Sequence, residues 1–327
     1  MKKIAFITVG GAEMGMGHIA RTLTIAEELR HKADAYFLTK SDKTVVSQIK
    51  SNGFNVQKAA SDARILNLLH QIKPDIVIID KLDVAESFAQ QLKNNLKVKL
   101  VIFDNTSTAN NYADIVVNAV MGSNYKNRKF LDRKTNTLYF YGLKYEVLRK
   151  QFYGFKKKAK KLGKKVANIL LLFGGSDHLN LTSAVLDELL GLQEDFKINV
   201  ILGAHFKYDN ELNKVLAKHR KKKAKVNIFR NIRNVAELMN QADLVIASPG
   251  LSVFESLRVG TPVLSFHQSP FQKNGFKGFL PTLDKSEVNK LRGIIAKKDF
   301  ADPYSDYIKA FEIGEGKQEV IEAIIGS

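Results

Sequence analysis

The residue of this chain that is best placed to do chemistry is His18, which follows a glycine-rich segment. The segment reads Gly-Gly-Ala-Glu-Met-Gly-Met-Gly over residues 10–17. Glycines let the backbone turn sharply and approach a ligand closely, and the first N–H groups of a following helix favour an anion. An imidazole can take a proton from water or a hydroxyl. The spacing therefore predicts a site for an anionic or heavily hydroxylated small molecule, with His18 inside it.

Two regular elements are expected to hold this segment in place. The preceding run, residues 4–9, is apolar and rich in β-branched and aromatic residues, which is typical of a buried strand. The following run places Ile19, Leu23 and Ala26 on one face of a helix. In open α/β sheets, ligands lie at the carboxyl ends of the strands, which is where this segment falls.

Two other interpretations of the segment stay open. Residues 15–20, Gly-Met-Gly-His-Ile-Ala, also fit the dinucleotide fingerprint Gly-x-Gly-x-x-Gly/Ala. That fingerprint needs an acidic residue at the end of the second strand, and only Asp42 is available there, late in the sequence. In the other interpretation the glycines only close a tight turn, and His18 caps it.

Length and composition predict two domains without disulfides. The chain has 327 residues, which is long for one core, and its hydrophobic fraction of 45% is typical of a globular protein. The absence of cysteine excludes disulfides, thiolate metal sites and a cysteine nucleophile. No apolar stretch reaches the ~18 residues of a membrane span, and the first strand begins too early for a signal peptide. We therefore expect a cytoplasmic protein.

The charge is strongly basic, with 51 Lys+Arg against 33 Asp+Glu and a net charge of +18. Much of the excess lies in two runs, residues 156–165 and 219–225. An anionic membrane face is a possible partner for them, and solvated helix faces and loops are the alternative. No aromatic residues alternate with these lysines and no nucleic-acid motif is present, so no nucleic acid is expected.

Short apolar strands alternate with amphipathic helices along most of the chain, which predicts parallel sheets with helices on both faces. The predicted strands are 4–9, 34–38, 54–58, 75–80, 98–103, 114–118, 137–141, 166–173, 198–203, 226–230, 244–248 and 263–266. The predicted helices include 42–52, 62–72, 84–94, 179–192, 209–219, 234–241 and 251–259. Asp284 and Glu287 form a capping pair that is expected to open another helix.

These elements divide the chain into an N-terminal domain over 1–150, a basic linker over 151–165 and a C-terminal nucleotide-binding domain over 166–310. A helix within 311–327 closes the chain. Two doubly wound, Rossmann-like domains would leave a cleft between them, a common place for a ligand.

The second half carries glycine-bearing turns of its own. Residues 173–178, Phe-Gly-Gly-Ser-Asp-His, follow a predicted strand and precede a helix. Residues 248–255 follow another strand, with Gly250 at the turn, Ser252 near the helix N-terminus and Glu255 one turn further on. A carboxylate there can accept hydrogen bonds from both hydroxyls of a ribose. An acid that only satisfies the helix dipole has the same spacing.

Three motifs together resemble the two-domain nucleotide-sugar enzymes of the GT-B fold. They are Gly-x-Gly-His-x-x-Arg over 15–21, Phe-Gly-Gly-Ser-Asp over 173–177, and Ala-Glu-Leu-Met-x-x-Ala-Asp-Leu-Val-Ile over 236–246 followed by a Gly-x-Ser-x-x-Glu helix. The likeness spans residues 4–275. It is strongest to the UDP-sugar hydrolase of pseudaminic acid biosynthesis and the related spore-coat polysaccharide biosynthesis proteins, and weaker to the transferase that makes lipid II.

The resemblance implies a role for each matched residue. His18 would be the catalytic base, and Glu255 would hold the uridine ribose. The residues that would contact the sugar or the phosphates are Gly15, Gly17, Asp80, Asn105, Gly174, Gly175, Ser176 and Gln272. Gly250 and Ser252 would belong to the nucleotide site with Glu255.

The resemblance also implies the reaction, with two alternatives left open. In the first, a metal-independent hydrolase releases UDP from a modified amino sugar, and His18 activates water. In the second, an inverting glycosyltransferase uses His18 to deprotonate an acceptor hydroxyl. A non-catalytic dinucleotide or polyanion binder is a third hypothesis. No Asp-x-Asp, HExxH or Walker A motif is present, so no metal or other cofactor is expected.

Overall fold

A computed structural model describes most of the chain, as two compact units. The described residues are 1–11, 15–119, 126–155, 166–230, 232, 234–276, 279–280, 282–297, 304 and 311–326. The first unit combines Met1–Arg149 with Phe311–Ser327, and the second is Lys150–Ala310.

The first unit contains, within the described residues, an eight-stranded sheet in the order β3-β2-β1-β4-β5-β6-β8-β7. Its strands are β1 Lys2–Thr8, β2 Ala33–Thr39, β3 Asn55–Lys58, β4 Ile76–Asp80, β5 Lys99–Phe103, β6 Ile115–Asn118, β7 Arg128–Asp132 and β8 Thr137–Tyr141. Its helices are α1 Gly17–Glu28, α2 Lys43–Ser51, α3 Asp62–Ile72 and α4 Glu86–Leu96. All strand pairs are parallel except β7 with β8.

Residues 4–7 of the central strand β1 are apolar because both faces of the strand are covered there. Ile4 and Phe6 point to one face, in a core shared with Ile19 and Ile25 of α1. The alternate residues of β1 point to the other face, in a core shared with helices α3 and α4. This doubly wound arrangement fixes α1, and with it His18, against the carboxyl end of β1.

A helix from late in the sequence completes the first unit. Lys317–Ile325, α11, buries Val320, Ile321 and Ile324 in the same core as Ile4. The unit is therefore built from two separate stretches of the chain.

The second unit contains, among its described residues, a parallel six-stranded sheet in the order β11-β10-β9-β12-β13-β14. Its strands are β9 Asn168–Leu172, β10 Lys197–Leu202, β11 Lys225–Arg230, β12 Leu244–Ala247, β13 Val263–Phe266 and β14 Thr282–Leu283. Its helices are α5 Leu181–Gly191, α6 Asp209–Lys218, α7 Val235–Gln241, α8 Leu251–Arg258, α9 Pro270–Gly275 and α10 Leu291–Ile295.

The structure adds detail at the predicted linker and at the predicted capping pair. Lys150–Tyr153 forms a 3-10 turn in the second unit, with the Arg258 guanidinium 4.7 Å from the Tyr153 ring, and residues 156–165 lie outside the described part. Asp284 and Glu287 do form a capping box, but it opens a 3-10 helix, Lys285–Lys290, that runs into α10.

The two-domain α/β fold expected from the sequence is confirmed by these sheets. The sequence pattern missed β7, β14 and α9. None of the helices in the described part of the chain combines the length and the apolar character that crossing a bilayer requires.

Candidate active site

The glycine segment after β1 folds into a tight backbone loop. Gly11 and Gly15 exchange backbone hydrogen bonds of 3.0 and 2.9 Å, and their φ angles of +147° and +77° favour glycine. Residues 12–14 between them lie outside the described part. Gly17 is the first residue of α1, and no described side chain caps that helix. Among the described side chains none occupies its first N–H groups, which are the groups that favour an anion.

His18 of α1 is held by a carboxylate at the end of a neighbouring strand. Its Nδ1 lies 2.7 Å from Oδ1 of Asp80, the last residue of β4. Strands β1 and β4 are adjacent and parallel, with Thr8 opposite Asp80, and the chain leaves them in opposite directions across the sheet. Such a switch point is where α/β sheets bind ligands. The His18 side chain is 14% exposed, whereas that of Asp80 is fully buried.

Arg21 lies one helical turn after His18 and binds the same carboxylate. Its Nε and Nη2 donate hydrogen bonds of 2.8 and 2.7 Å to the two oxygens of Asp80. Its Nη1 lies 2.6 Å from Asp104 Oδ2 and 3.2 Å from Glu146 Oε1. One buried guanidinium thus faces three carboxyl groups from three different segments of the first unit.

Burial and charge shift the proton affinities of this cluster in opposite directions. Burial alone would raise the pKa of Asp80, but Arg21 and His18 outweigh it and hold that pKa well below its ordinary value. Burial raises the pKa of Glu146 to about 7, with the charge of Asp104 adding to it and Arg21 opposing it. Burial would lower the pKa of Arg21, but Asp104, Asp80 and Glu146 together raise it. Arg21 is therefore a permanent cation between these acids.

Two residues expected to face a ligand in the first unit form hydrogen bonds within that unit. Asp80 has both oxygens bound to His18 and Arg21, so its carboxylate holds both side chains in place. Asn105 is buried; its amide oxygen accepts from the Val84 N–H, and its amide nitrogen donates to Ser107 and Asn110. Asn105 fixes the loop after β5.

The Phe-Gly-Gly-Ser-Asp turn of the second unit follows β9 as expected. Gly174 has a φ of +79°, and the turn leaves Gly174, Gly175 and Ser176 exposed or half-buried. Asp177 accepts hydrogen bonds of 2.8 Å from the N–H groups of Leu181 and Thr182, at the start of α5. The buried Asp177 side chain thereby anchors the turn to the helix.

A residue that the sequence did not single out, Gly203, sets the path of this turn. A Cβ at Gly203 would lie 2.4 Å from the carbonyl oxygens of both Gly174 and Gly175. The backbone after β10 passes so close to the turn that only glycine fits without displacing it.

Gln268, which the sequence analysis also did not single out, joins three loops at the carboxyl ends of β9, β12 and β13. Its side-chain amide donates 2.9 Å to the Phe173 carbonyl and 2.7 Å to Ser248 Oγ. Gln272, which was expected near the sugar, accepts from the Gln268 N–H at 2.7 Å and donates 3.0 Å to the Pro249 carbonyl. Both ends of the Gln272 amide hold the loops together.

The helix α8 begins in the loop that follows β12. Gly250 caps it with a φ of +150°, and Ser252 is half-buried in its first turn. Glu255 lies one turn further on, with only 2% of the residue exposed. Since β9 and β12 are adjacent, the Gly174–Ser176 turn and the start of α8 lie at one edge of the sheet.

The first lysine run, residues 156–165, lies outside the described part. The second run forms contacts within the second unit. In the second run, His219 Nε2 lies 2.7 Å from Asp187, and the Lys222 ammonium donates to the Leu192 carbonyl. A contact with an anionic membrane stays a prediction.

Comparisons with known proteins agree with the motif-based resemblance. Residues 169–268 match the glycosyltransferase family 28 C-terminal domain. An uncharacterized protein of Methanocaldococcus jannaschii is 46% identical over 98% of this chain, which spans only 66% of that relative's length. The spore coat polysaccharide biosynthesis protein SpsG of Bacillus subtilis is 26% identical, over 83% of this chain and 78% of its own.

A relative of known reaction is more distant. The UDP-2,4-diacetamido-2,4,6-trideoxy-beta-L-altropyranose hydrolase of Campylobacter jejuni is 24% identical, over 78% of this chain and 88% of its own.

Solved structures share the fold at low sequence identity. MurG of Acinetobacter baumannii has a TM-score of 0.69 and 16% identity over 99% of each chain. Anabaena Alr3699/HepE, solved with UDP-glucose, has a TM-score of 0.58 and 15% identity over 98% of this chain and 99% of its own. Together with the two sheets, these likenesses define a GT-B fold. The chain is thus a GT-B-fold protein whose residues 169–268 match the glycosyltransferase family 28 C-terminal domain.

Proposed function

We propose that this enzyme hydrolyses a UDP-linked, modified amino sugar and releases UDP, with His18 as the base. The His18–Asp80 pair at the carboxyl ends of β1 and β4 carries the proposal. We place the reaction in the biosynthesis of a surface polysaccharide or a nonulosonic acid. The relatives SpsG and the Campylobacter hydrolase support that substrate class.

Each residue of the pair has a defined part in the proposed step. Nδ1–H of His18 donates to the Asp80 carboxylate, which leaves Nε2 free to take a proton. Nε2 takes it from a water whose oxygen bonds to the anomeric carbon of the sugar. The bond from that carbon to the phosphate oxygen breaks, and UDP leaves with the electron pair. Asp80 stabilises the imidazolium that forms and keeps the ring in one orientation.

The second unit is proposed to bind the nucleotide. The open turn of residues 174–176 presents backbone N–H groups to the diphosphate, and Ser252 adds a hydroxyl near the start of α8. Glu255 is proposed to bind the ribose. HepE, which shares the fold, was solved with UDP-glucose, and this supports UDP as the nucleotide.

We propose that the reaction needs no divalent metal. The acids at the carboxyl edge of the first sheet are the groups that a metal would use, and Arg21 already pairs with each of them at 2.6–3.2 Å. The Arg21 guanidinium is always charged, and it binds both oxygens of Asp80. UDP release is therefore expected to be unaffected by EDTA.

A glycosyltransferase is the second candidate, favoured by the family 28 domain match and by the likeness to MurG. The chemistry at His18 would be the same, because Nε2 can deprotonate a sugar or lipid hydroxyl instead of water. The two candidates differ only in the acceptor.

The test is UDP release from a panel of UDP-amino sugars, with and without added acceptors. His18→Ala is expected to lower release by about 10²- to 10⁴-fold, and His70→Ala, which changes an exposed histidine of α3, is expected to leave it unchanged. Release without an acceptor supports the hydrolase, and release only with an acceptor supports the transferase. UDP binding that His18→Ala leaves intact, without any release, would identify a non-catalytic binder.

A further inference from the structure

We infer that Glu146 is a positioning residue for the reaction proposed above, and that it acts in its neutral form through Arg21 and Asp80. The catalytic consequence rests on the proposed function, whereas the contacts and the charge balance do not.

The contacts form a continuous path from Glu146 to the imidazole. Glu146 Oε1 accepts from Arg21 Nη1 at 3.2 Å and from its neighbour's N–H, that of Val147, at 3.1 Å. Arg21 then clamps both oxygens of Asp80, and Asp80 Oδ1 is the atom 2.7 Å from His18 Nδ1. Arg21, Asp80 and Glu146 are each at most 4% exposed. A movement of the guanidinium would therefore be passed to the ring.

The charges around Glu146 explain why it is expected to keep a proton. The groups that face it are Arg21 from α1, Asp80 from the end of β4 and Asp104 from the end of β5. One guanidinium cannot balance three carboxylates in a buried site. Burial, helped by Asp104, raises the pKa of Glu146 to about 7. Its Oε2 is buried with no hydrogen-bond partner in the described part of the chain, as is Oδ1 of Asp104.

A neutral Glu146 also suits the positive charge that forms on His18 during the proposed reaction. With that proton in place, Arg21 faces two carboxylates, so the cluster carries one net negative charge. The proton that His18 takes from water brings the whole cluster to neutrality. Ionisation of Glu146 would add a second negative charge, which would hold the imidazolium more strongly. That charge would oppose release of the proton from His18 after each turnover.

The charge state can be tested without any substrate, by NMR of protein labelled with ¹³C at the glutamate carboxyls. The Glu146 signal, identified by its loss in Glu146→Gln, is expected to titrate close to pH 7. A Glu146 signal that titrates near the ordinary glutamate value of 4.5 would overturn the inference.

The positioning role is tested on His18 itself, by the ¹⁵N signals of its neutral ring. In wild type and Glu146→Gln the neutral ring is expected to carry its proton mainly on Nδ1, because glutamine keeps the acceptor for Arg21. Glu146→Ala, which removes that acceptor, is expected to shift the proton balance between the two ring nitrogens. Identical ring signals in the alanine and glutamine variants would overturn the role.

Once a substrate has been identified, steady-state kinetics provide the last test. Glu146→Ala is expected to lower kcat by roughly 10- to 100-fold with little change in KM, and Glu146→Gln to restore it at pH 6. A loss confined to KM, or one that glutamine does not rescue, would overturn the positioning role. If no UDP release is found at all, the two NMR experiments still test the inference about Glu146. A failure of the proposed function can therefore be told apart from a failure of this inference.

Discussion

Nη1 of Arg21 lies 3.2 Å from Oε1 of Glu146, a residue 125 positions away in the chain. The pair joins the first helix of the first unit to the segment that follows its last strand. Because the contact is buried, the charge state of Glu146 bears on stability as well as on His18.

The first prediction concerns how stability depends on pH. The pKa of Glu146 is about 7 in the folded protein against an ordinary 4.5, so the folded state binds more protons between these values. The stability contributed by this group is complete below pH 4.5 and is lost as the pH rises through 7. Glu146→Gln removes the effect. Its free energy of unfolding relative to wild type is expected to rise by about 2–3 kcal/mol between pH 5 and pH 8.

Urea titrations of both proteins at pH 5 and pH 8 measure this difference. A difference that is the same at both pH values would mean that Glu146 is ionised in the folded protein throughout.

The second prediction concerns Asp80→Asn. An asparagine at this position can present its NH₂ group to Nδ1, which favours the ring form with its proton on Nε2 and removes the base. We expect kcat to fall by roughly 10²- to 10⁴-fold with little change in KM. Asp75→Asn, which changes an exposed acid before the opposite end of β4, is the control and is expected to keep kcat. Thermal unfolding of both variants separates catalysis from folding, and a KM effect alone would argue against the orienting role.

The third prediction concerns the turn after β9. Gly203→Ala puts a Cβ 2.4 Å from two backbone oxygens of that turn, and backbone cannot move aside cheaply. We expect a loss of about 1–3 kcal/mol of stability and UDP binding weakened about tenfold. Gly191→Ala, where the Cβ meets open space at the end of α5, is expected to be neutral or slightly stabilising. Calorimetry measures the UDP affinity of both variants. Equal affinities would mean that the turn after β9 does not contribute to UDP binding.

The fourth prediction concerns Glu255. If its carboxylate binds the ribose hydroxyls, Glu255→Gln removes charge-assisted hydrogen bonds and weakens UDP binding by roughly 10- to 100-fold. Glu237→Gln, which changes an exposed acid in the first turn of α7, is the matched control. An unchanged affinity for uridine diphosphate in Glu255→Gln would assign this buried acid to the internal structure of α8.

Most of the fold could be predicted because its strands are parallel and buried on both faces. Such strands are continuous apolar runs, and β1, β4 and β9 stand out in the sequence for that reason. The missed strand β7 is an antiparallel edge strand whose Phe130 and Leu131 are 40% and 54% exposed. It buries too little apolar surface to leave a pattern.

From residue spacing alone, the candidate site could be predicted only where it is local in sequence. The spacing of glycines around His18 and the turn at residues 174–176 are local signals. Asp104, Glu146 and Gln268 act through contacts that exist only after the sheet has formed, so their spacing in the chain carries no such signal. A carboxylate directly after an apolar strand, as at Asp104, was the one clue available.

The helix α11 gives the two units a fixed order of completion during synthesis. It follows the whole second unit in the chain, yet its residues Val320, Ile321 and Ile324 fill the core of the first. The ribosome delivers the chain from the N-terminus, so residues 150–310 can fold while the first unit still lacks a helix. The unit that holds His18 can therefore be completed only after residues 317–325 have been made, later than the unit that is proposed to bind the nucleotide.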